Sequence, residues 1–60
     1  MTESAKDLSY TSHVGRDLRE VNLSNADLRR AIFDGADLEK ANLSGSDLRD
    51  ASLKRANLKM

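Results

Sequence analysis

The chain has 60 residues, ten basic and ten acidic side chains, 38% apolar residues, and no cysteine, proline or tryptophan. It can build one small domain at most, and the missing cysteines exclude a disulfide scaffold, a thiolate metal site and a cysteine nucleophile. Balanced charge gives no electrostatic drive toward nucleic acid or an anionic membrane. No apolar run is long enough for a membrane span or a signal peptide, so the cytoplasm is the expected compartment.

Residues 1–14 read as an irregular N-terminal cap. Leu8 and Asp7 sit in phase with the later units, but the next equivalent centre is His13, a poor core residue. End repeats of a solenoid are atypical because they close the core, and Tyr10 and Val14 are the side chains expected to act as lids.

From residue 15 to residue 60 the chain repeats every five residues. The centres are Leu18, Leu23, Leu28, Phe33, Leu38, Leu43, Leu48, Leu53 and Leu58. Two residues before them stand Val21, Ala26, Ala31, Ala36, Ala41, Ser46, Ala51 and Ala56, with Arg16 in the first unit. Regular coiling is therefore expected from about Val21. The position just before each centre is mostly Asp or Asn, and Gly15, Gly35 and Gly45 share a place two residues after it.

A five-residue period suits neither ordinary element. On an α-helix it rotates the face by about 140° per repeat, which spreads the centres around the whole surface. On a flat strand an odd period sends alternate centres to opposite faces. All centres point inward only if the chain turns a corner once per repeat, with the Gly, Asn, Asp and Ser positions at the bends. Four sides per coil would make residues 20 apart vertical neighbours. That register sets Arg19 beside Glu39, Glu39 beside Lys59, Glu20 beside Lys40, Asp34 beside Lys54 and Arg30 beside Asp50. It also stacks Asn22 on Asn42 and Ser24 on Ser44. The like-charge stacks Asp17 on Asp37, Asp27 on Asp47 and Arg29 on Arg49 call for diagonal opposite-charge contacts to offset them.

The units Asn25-Ala-Asp-Leu-Arg29, Gly35-Ala-Asp-Leu-Glu39, Lys40-Ala-Asn-Leu-Ser44 and Arg55-Ala-Asn-Leu-Lys59 resemble pentapeptide repeats. The resemblance implies an all-β chain: a right-handed, four-sided β-helix with one repeat per side.

Candidate chemistry is sparse. Ser12 and His13 with Asp7 or Asp17 supply the residue types of a hydrolytic triad, but no glycine-rich elbow accompanies them, and the expectation is a protein without enzymatic activity. His13 is the sole histidine, so a histidine metal site lacks a second ligand. The stacked carboxylates Asp17 with Asp37, and Asp27 with Asp47, have the oxygens of a cation site, yet Arg19 and Arg29 stand two residues away to compete for them. Asp and Asn at such positions commonly accept from nearby turn amides instead. No catalytic, cofactor or metal residue is therefore assigned. Arg29, Arg30 and Arg49 gather near one corner, either as an anion site or as a solvated face balanced by Asp27, Asp47 and Asp50.

The functional expectation is an interaction or scaffold module that docks an unidentified protein partner, with no direct contact to nucleic acid or membrane. The resemblance also implies an alternative, a DNA mimic that binds DNA gyrase. A near-neutral chain this short carries that analogy poorly. A third reading is a structural assembly element. The last coil, with Leu43, Leu48, Leu53, Leu58 and Met60, offers an open lower face through which end-to-end homodimerisation is expected.

Overall fold

The computed structural model describes residues 6–59. Each five-residue unit takes the same path: three extended residues, the middle one in a parallel bridge, then two turn residues. The bridges join residues 20 apart, as in Asp7 to Asp27 to Asp47, Ser12 to Ile32 to Ser52, Asp17 to Asp37 to Asn57, and Asn22 to Asn42. One coil therefore takes 20 residues, with four bridge columns around it. Isolated bridges replace strands because two residues of every five are spent on the corner, leaving too little extended chain for a continuous ladder.

The pattern begins at Lys6, so residues 6–14 are not an irregular cap, and coiling does not wait for Val21. Lys6 and Arg16 occupy inward columns yet remain exposed. No coil among the described residues lies above theirs, so long polar side chains can leave through the open end. Tyr10 and Val14 do not act as lids: they sit at turn positions, point outward, and are 72% and 60% exposed. Residues 1–5 of the expected cap lie outside the described residues.

Backbone bonds between coils run in both directions. The centre and the corner residue donate to the following coil (Leu28 N to Asp47 O, 2.8 Å; Arg30 N to Arg49 O, 3.0 Å). The bridge residue donates to the preceding one (Asp27 N to Lys6 O, 2.7 Å). From the His13 corner onward each corner closes with a bond from the third residue after a centre, such as Ala31 N to Leu28 O at 3.1 Å, while at the first corner the Thr11 hydroxyl donates to Leu8 O. Positive φ falls on the second residue after the centre, the signature of a type II turn. Glycine occupies this place at Gly15, Gly35 and Gly45, but Tyr10, Glu20, Arg30, Lys40 and Arg55 are also held near +60°. Ladder bonds on both sides of the corner over-determine a conformation that costs an L-residue about 1–2 kcal/mol.

Inside, bulky centres alternate with alanines. Leu23, Ala26, Leu28, Ala31, Phe33, Ala36, Leu38 and Ala41 are buried, and the largest fully enclosed side chains are Leu28, Phe33 and Leu38. Those three have a centre both above and below them. Leu8, Leu18, Leu43, Leu48 and Leu53 pack against this core and are partly buried, while Leu58 is 40% exposed. Among the described residues no helix is long and apolar enough to cross a membrane.

Candidate functional site

The outward side chains are ordered by one local device. Where the residue before a centre is Asp or Asn, it turns its side-chain oxygen back onto the amide two residues on: Asp27 Oδ1 accepts from Arg29 N (3.2 Å), Asp47 Oδ1 from Arg49 N (3.2 Å) and Asn42 Oδ1 from Ser44 N (3.1 Å). This Asx turn fixes χ1 and brings the side chain after the centre alongside. Where that neighbour is arginine, a side-on fork forms. Arg29 donates Nε to Asp27 Oδ1 (2.8 Å) and Nη2 to Asp27 Oδ2 (2.7 Å). Arg49 repeats this on Asp47 (2.9 and 2.7 Å), and Arg19 on Asp17 (2.9 and 2.9 Å). Where the neighbour is serine, its hydroxyl donates to the same oxygen, as Ser24 does to Asn22 and Ser44 to Asn42.

These forks set the charges. The Arg49 guanidinium holds the Asp47 carboxyl down to about 2, and Arg29 and Arg19 lower those of Asp27 and Asp17 in the same way. Each guanidinium is held more firmly protonated by its carboxylate. The like-charge stacks are offset diagonally: Arg29 also favours ionised Asp47, Asp27 favours charged Arg49, and Arg19 Nε lies 3.9 Å from Asp37 Oδ2. Of the vertical pairs expected from the sequence, Arg30 to Asp50 forms, at 4.0 Å. Among the described residues no ion pair joins Arg19 to Glu39, Glu39 to Lys59, Glu20 to Lys40 or Asp34 to Lys54; Arg19 reaches the nearer Asp17, and Asp34 is used otherwise. Ser52 stands where an Asp or Asn is usual, and Asp34 of the preceding coil substitutes for it. Asp34 Oδ1 accepts from Ser52 Oγ (2.5 Å) and from Lys54 N (3.3 Å).

The triad candidates are not brought together. His13 turns inward and stacks on Phe33 (centroids 5.0 Å apart, planes 17° apart), whereas Ser12 faces solvent. His13 Nε2 bonds Thr11 Oγ1 at 2.8 Å, and its Nδ1 is buried without a hydrogen-bond partner. Burial, and then the charge of Arg16, lower its pKa, so the ring is neutral at pH 7. In the carboxylate columns proposed for cations, Asp17, Asp27 and Asp47 are each occupied by a guanidinium, and among the described residues no cluster of three or more metal-ligating side chains forms. The pairings that go beyond those expected from the sequence include His13 on Phe33, Arg30 over the Tyr10 ring (5.7 Å), and Asp34 as a borrowed cap. All three join residues about 20 apart, so the register itself is the signal that could have found them.

The bridge columns leave chemically distinct faces. One carries Asp7, Asp27 and Asp47 beside Ser9, Arg29 and Arg49, and the opposite one Asp17, Asp37 and Asn57 beside Arg19, Glu39 and Lys59. Between them, Asn22, Ser24, Asn42 and Ser44 make an uncharged face. A family model for pentapeptide repeats matches the chain in eight copies, over residues 7–45 and 31–60. No curated protein and no solved structure matches it.

Proposed function

The chain belongs to the pentapeptide-repeat family, and from that premise we propose that it is a non-enzymatic, cytoplasmic interaction module. Its architecture is the family's right-handed, four-sided β-helix, and its rigid faces dock a protein partner. A repeat-based interaction or structural role is what membership itself gives. The observation that carries the finer reading is the locking of outward side chains in rows by Asx turns and forks. A surface whose side chains are already fixed loses little conformational entropy on docking. Basic side chains interspersed among the acidic ones on both charged faces favour docking over mimicry of DNA, which needs a continuous acidic stripe. The gyrase reading therefore stands second, and no effect on gyrase supercoiling at high micromolar protein would remove it. Face-specific charge reversal tests the leading reading. A defined protein captured by the wild-type chain should be lost with Arg29→Glu plus Arg49→Glu, or with Lys40→Glu plus Lys59→Glu, but not with both pairs alike. Capture indifferent to either pair would sink it.

Self-association, or assembly with other solenoids, is favoured by one further observation. Leu43, Leu48 and Leu53 are only partly buried and Leu58 is 40% exposed, so end-to-end pairing of last coils would extend the core across a two-fold axis. Met60, expected on the same surface, lies outside the described residues. Sedimentation equilibrium showing a dimer at micromolar concentration supports this pairing, and a stable folded monomer there removes it.

A further inference from the structure

The arginine corner has a geometry that neither the repeat nor the docking reading requires. Tyr10, Arg29, Arg30, Arg49 and Asp50 line one shallow concavity. Arg29 and Arg49 occupy the same place in successive coils, 20 residues apart, and so stand roughly 4.8 Å apart along the stack. Each spends Nε and one Nη2 hydrogen on its own aspartate. A guanidinium has five N–H donors in one plane, so this side-on pairing leaves the end-on edge, one Nη1 and one Nη2 hydrogen, together with the second Nη1 hydrogen, free to donate. The side chains of Arg29 and Arg49 are 48% and 76% exposed. The aspartates thus act as splints: they offset the charge of the two cations and hold two guanidiniums in place with hydrogens still free to donate. Arg30 adds a third cation, resting over the Tyr10 ring at 5.7 Å and only loosely on Asp50 at 4.0 Å.

We propose that this corner is a binding site for a phosphate monoester dianion. A tetrahedral group with three terminal oxygens can bridge guanidinium edges in two layers while Arg30 closes on the third oxygen. A carboxylate, with two oxygens and a single charge, cannot satisfy both layers and Arg30 together. Tyr10 supplies an aromatic wall for the organic part of the ester. Asp50 is the group displaced as Arg30 turns to the ligand.

The test is a heteronuclear NMR titration of the whole chain with phenyl phosphate, inorganic phosphate and, at matched ionic strength, benzoate. The site deepens the docking reading by naming a contact chemistry but is tested apart from it, since the probes are small molecules and failure to bind them leaves capture of a protein untouched. Saturable shifts at Tyr10, Arg29, Arg30 and Arg49 with a dissociation constant of about 1 mM are expected for phenyl phosphate. Tighter binding of phenyl phosphate than of inorganic phosphate identifies an ester-borne group, and equal binding identifies free phosphate. Arg29→Gln and Arg49→Gln should weaken binding about tenfold. Asp50→Asn should tighten it severalfold. Arg19→Gln should leave it unchanged, because Arg19 has the same fork with Asp17 but Glu39 instead of an arginine in the next coil. Arg49→Lys, which keeps the charge and removes the fork, covers the case in which a glutamine variant does not fold, and it should weaken binding as well. Non-saturable shifts, equal binding of benzoate, or an equal loss with Arg19→Gln would overturn the assignment.

Discussion

Leu18, Leu38 and Leu58 occupy one column of the core, and they differ chiefly in what lies above and below. Leu38 is fully enclosed, whereas Leu58 is 40% exposed. Truncating Leu38 to alanine forfeits about 2 kcal/mol of transfer free energy and opens an enclosed cavity in the buried core, for a total of about 3–4 kcal/mol. The same change at Leu58 forfeits about 1 kcal/mol, because part of the side chain is already hydrated and no closed cavity results. A domain of this length has roughly 3–9 kcal/mol to lose, so Leu38→Ala should move it to the edge of unfolding while Leu58→Ala shifts the midpoint modestly. Urea unfolding followed by far-ultraviolet circular dichroism, at a concentration where sedimentation gives monomer, measures both. If Leu38→Ala leaves too little folded protein, Leu38→Val reads the same asymmetry on a smaller scale. Equal losses at the two positions in the monomer would refute the layered core.

The corners, the borrowed cap and the histidine each carry a further expectation. Lys40→Gly should stabilise the chain by up to about 1 kcal/mol in the same unfolding assay, since it removes the left-handed strain recorded at φ +60°. Asp34→Ala should cost about 1 kcal/mol, because Ser52 and the Lys54 amide both lose their acceptor, and Ser52→Asp made in the same chain should restore most of it. His13 has a folded-state pKa below its ordinary 6.5, so its neutral form is favoured by folding. Stability is therefore highest above pH 6.5 and falls as the pH drops through that value toward the lowered one, where the unfolded chain takes up the proton first. His13→Leu should flatten the thermal midpoint across that window. An unchanged slope would mean that His13 is not the group titrating.

The phase of the leucines and the opposite charges at 20-residue spacing make the coil and its stacking legible from the residues alone. Both are consequences of side-chain direction, which the period fixes. The first coil is harder to read, because Lys6, His13 and Arg16 look unfit for an interior. Lys6 and Arg16 are tolerated because at the start of the described stack their side chains stay exposed, and His13 because its neutral ring stacks on Phe33. These conditions depend on position in the stack and not on residue type. The corners at Glu20, Arg30, Lys40 and Arg55 are obscured for a related reason. Local propensity argues against left-handed backbone there, and it is overruled by hydrogen bonds to coils 20 residues away. The charged faces differ in detail from expectation: vertical partners are the natural inference from the register, but a fork to the residue two places back is nearer and fixed by the Asx turn. For that reason the arginine corner can be located from the sequence, while its free guanidinium edges cannot.

The bridges at 20-residue spacing imply a rule for insertions and deletions. Duplicating any 20 consecutive residues within the stack would lengthen the prism by one storey and leave every face with its chemistry intact. Deleting five would preserve the local conformation of each unit yet swing everything downstream through a quarter turn. Arg49 would then no longer stand under Arg29, and the two charged faces would be dismantled while the hydrophobic interior stayed almost as well filled as before. In such a chain, length can drift in whole storeys far more freely than in fractions of one.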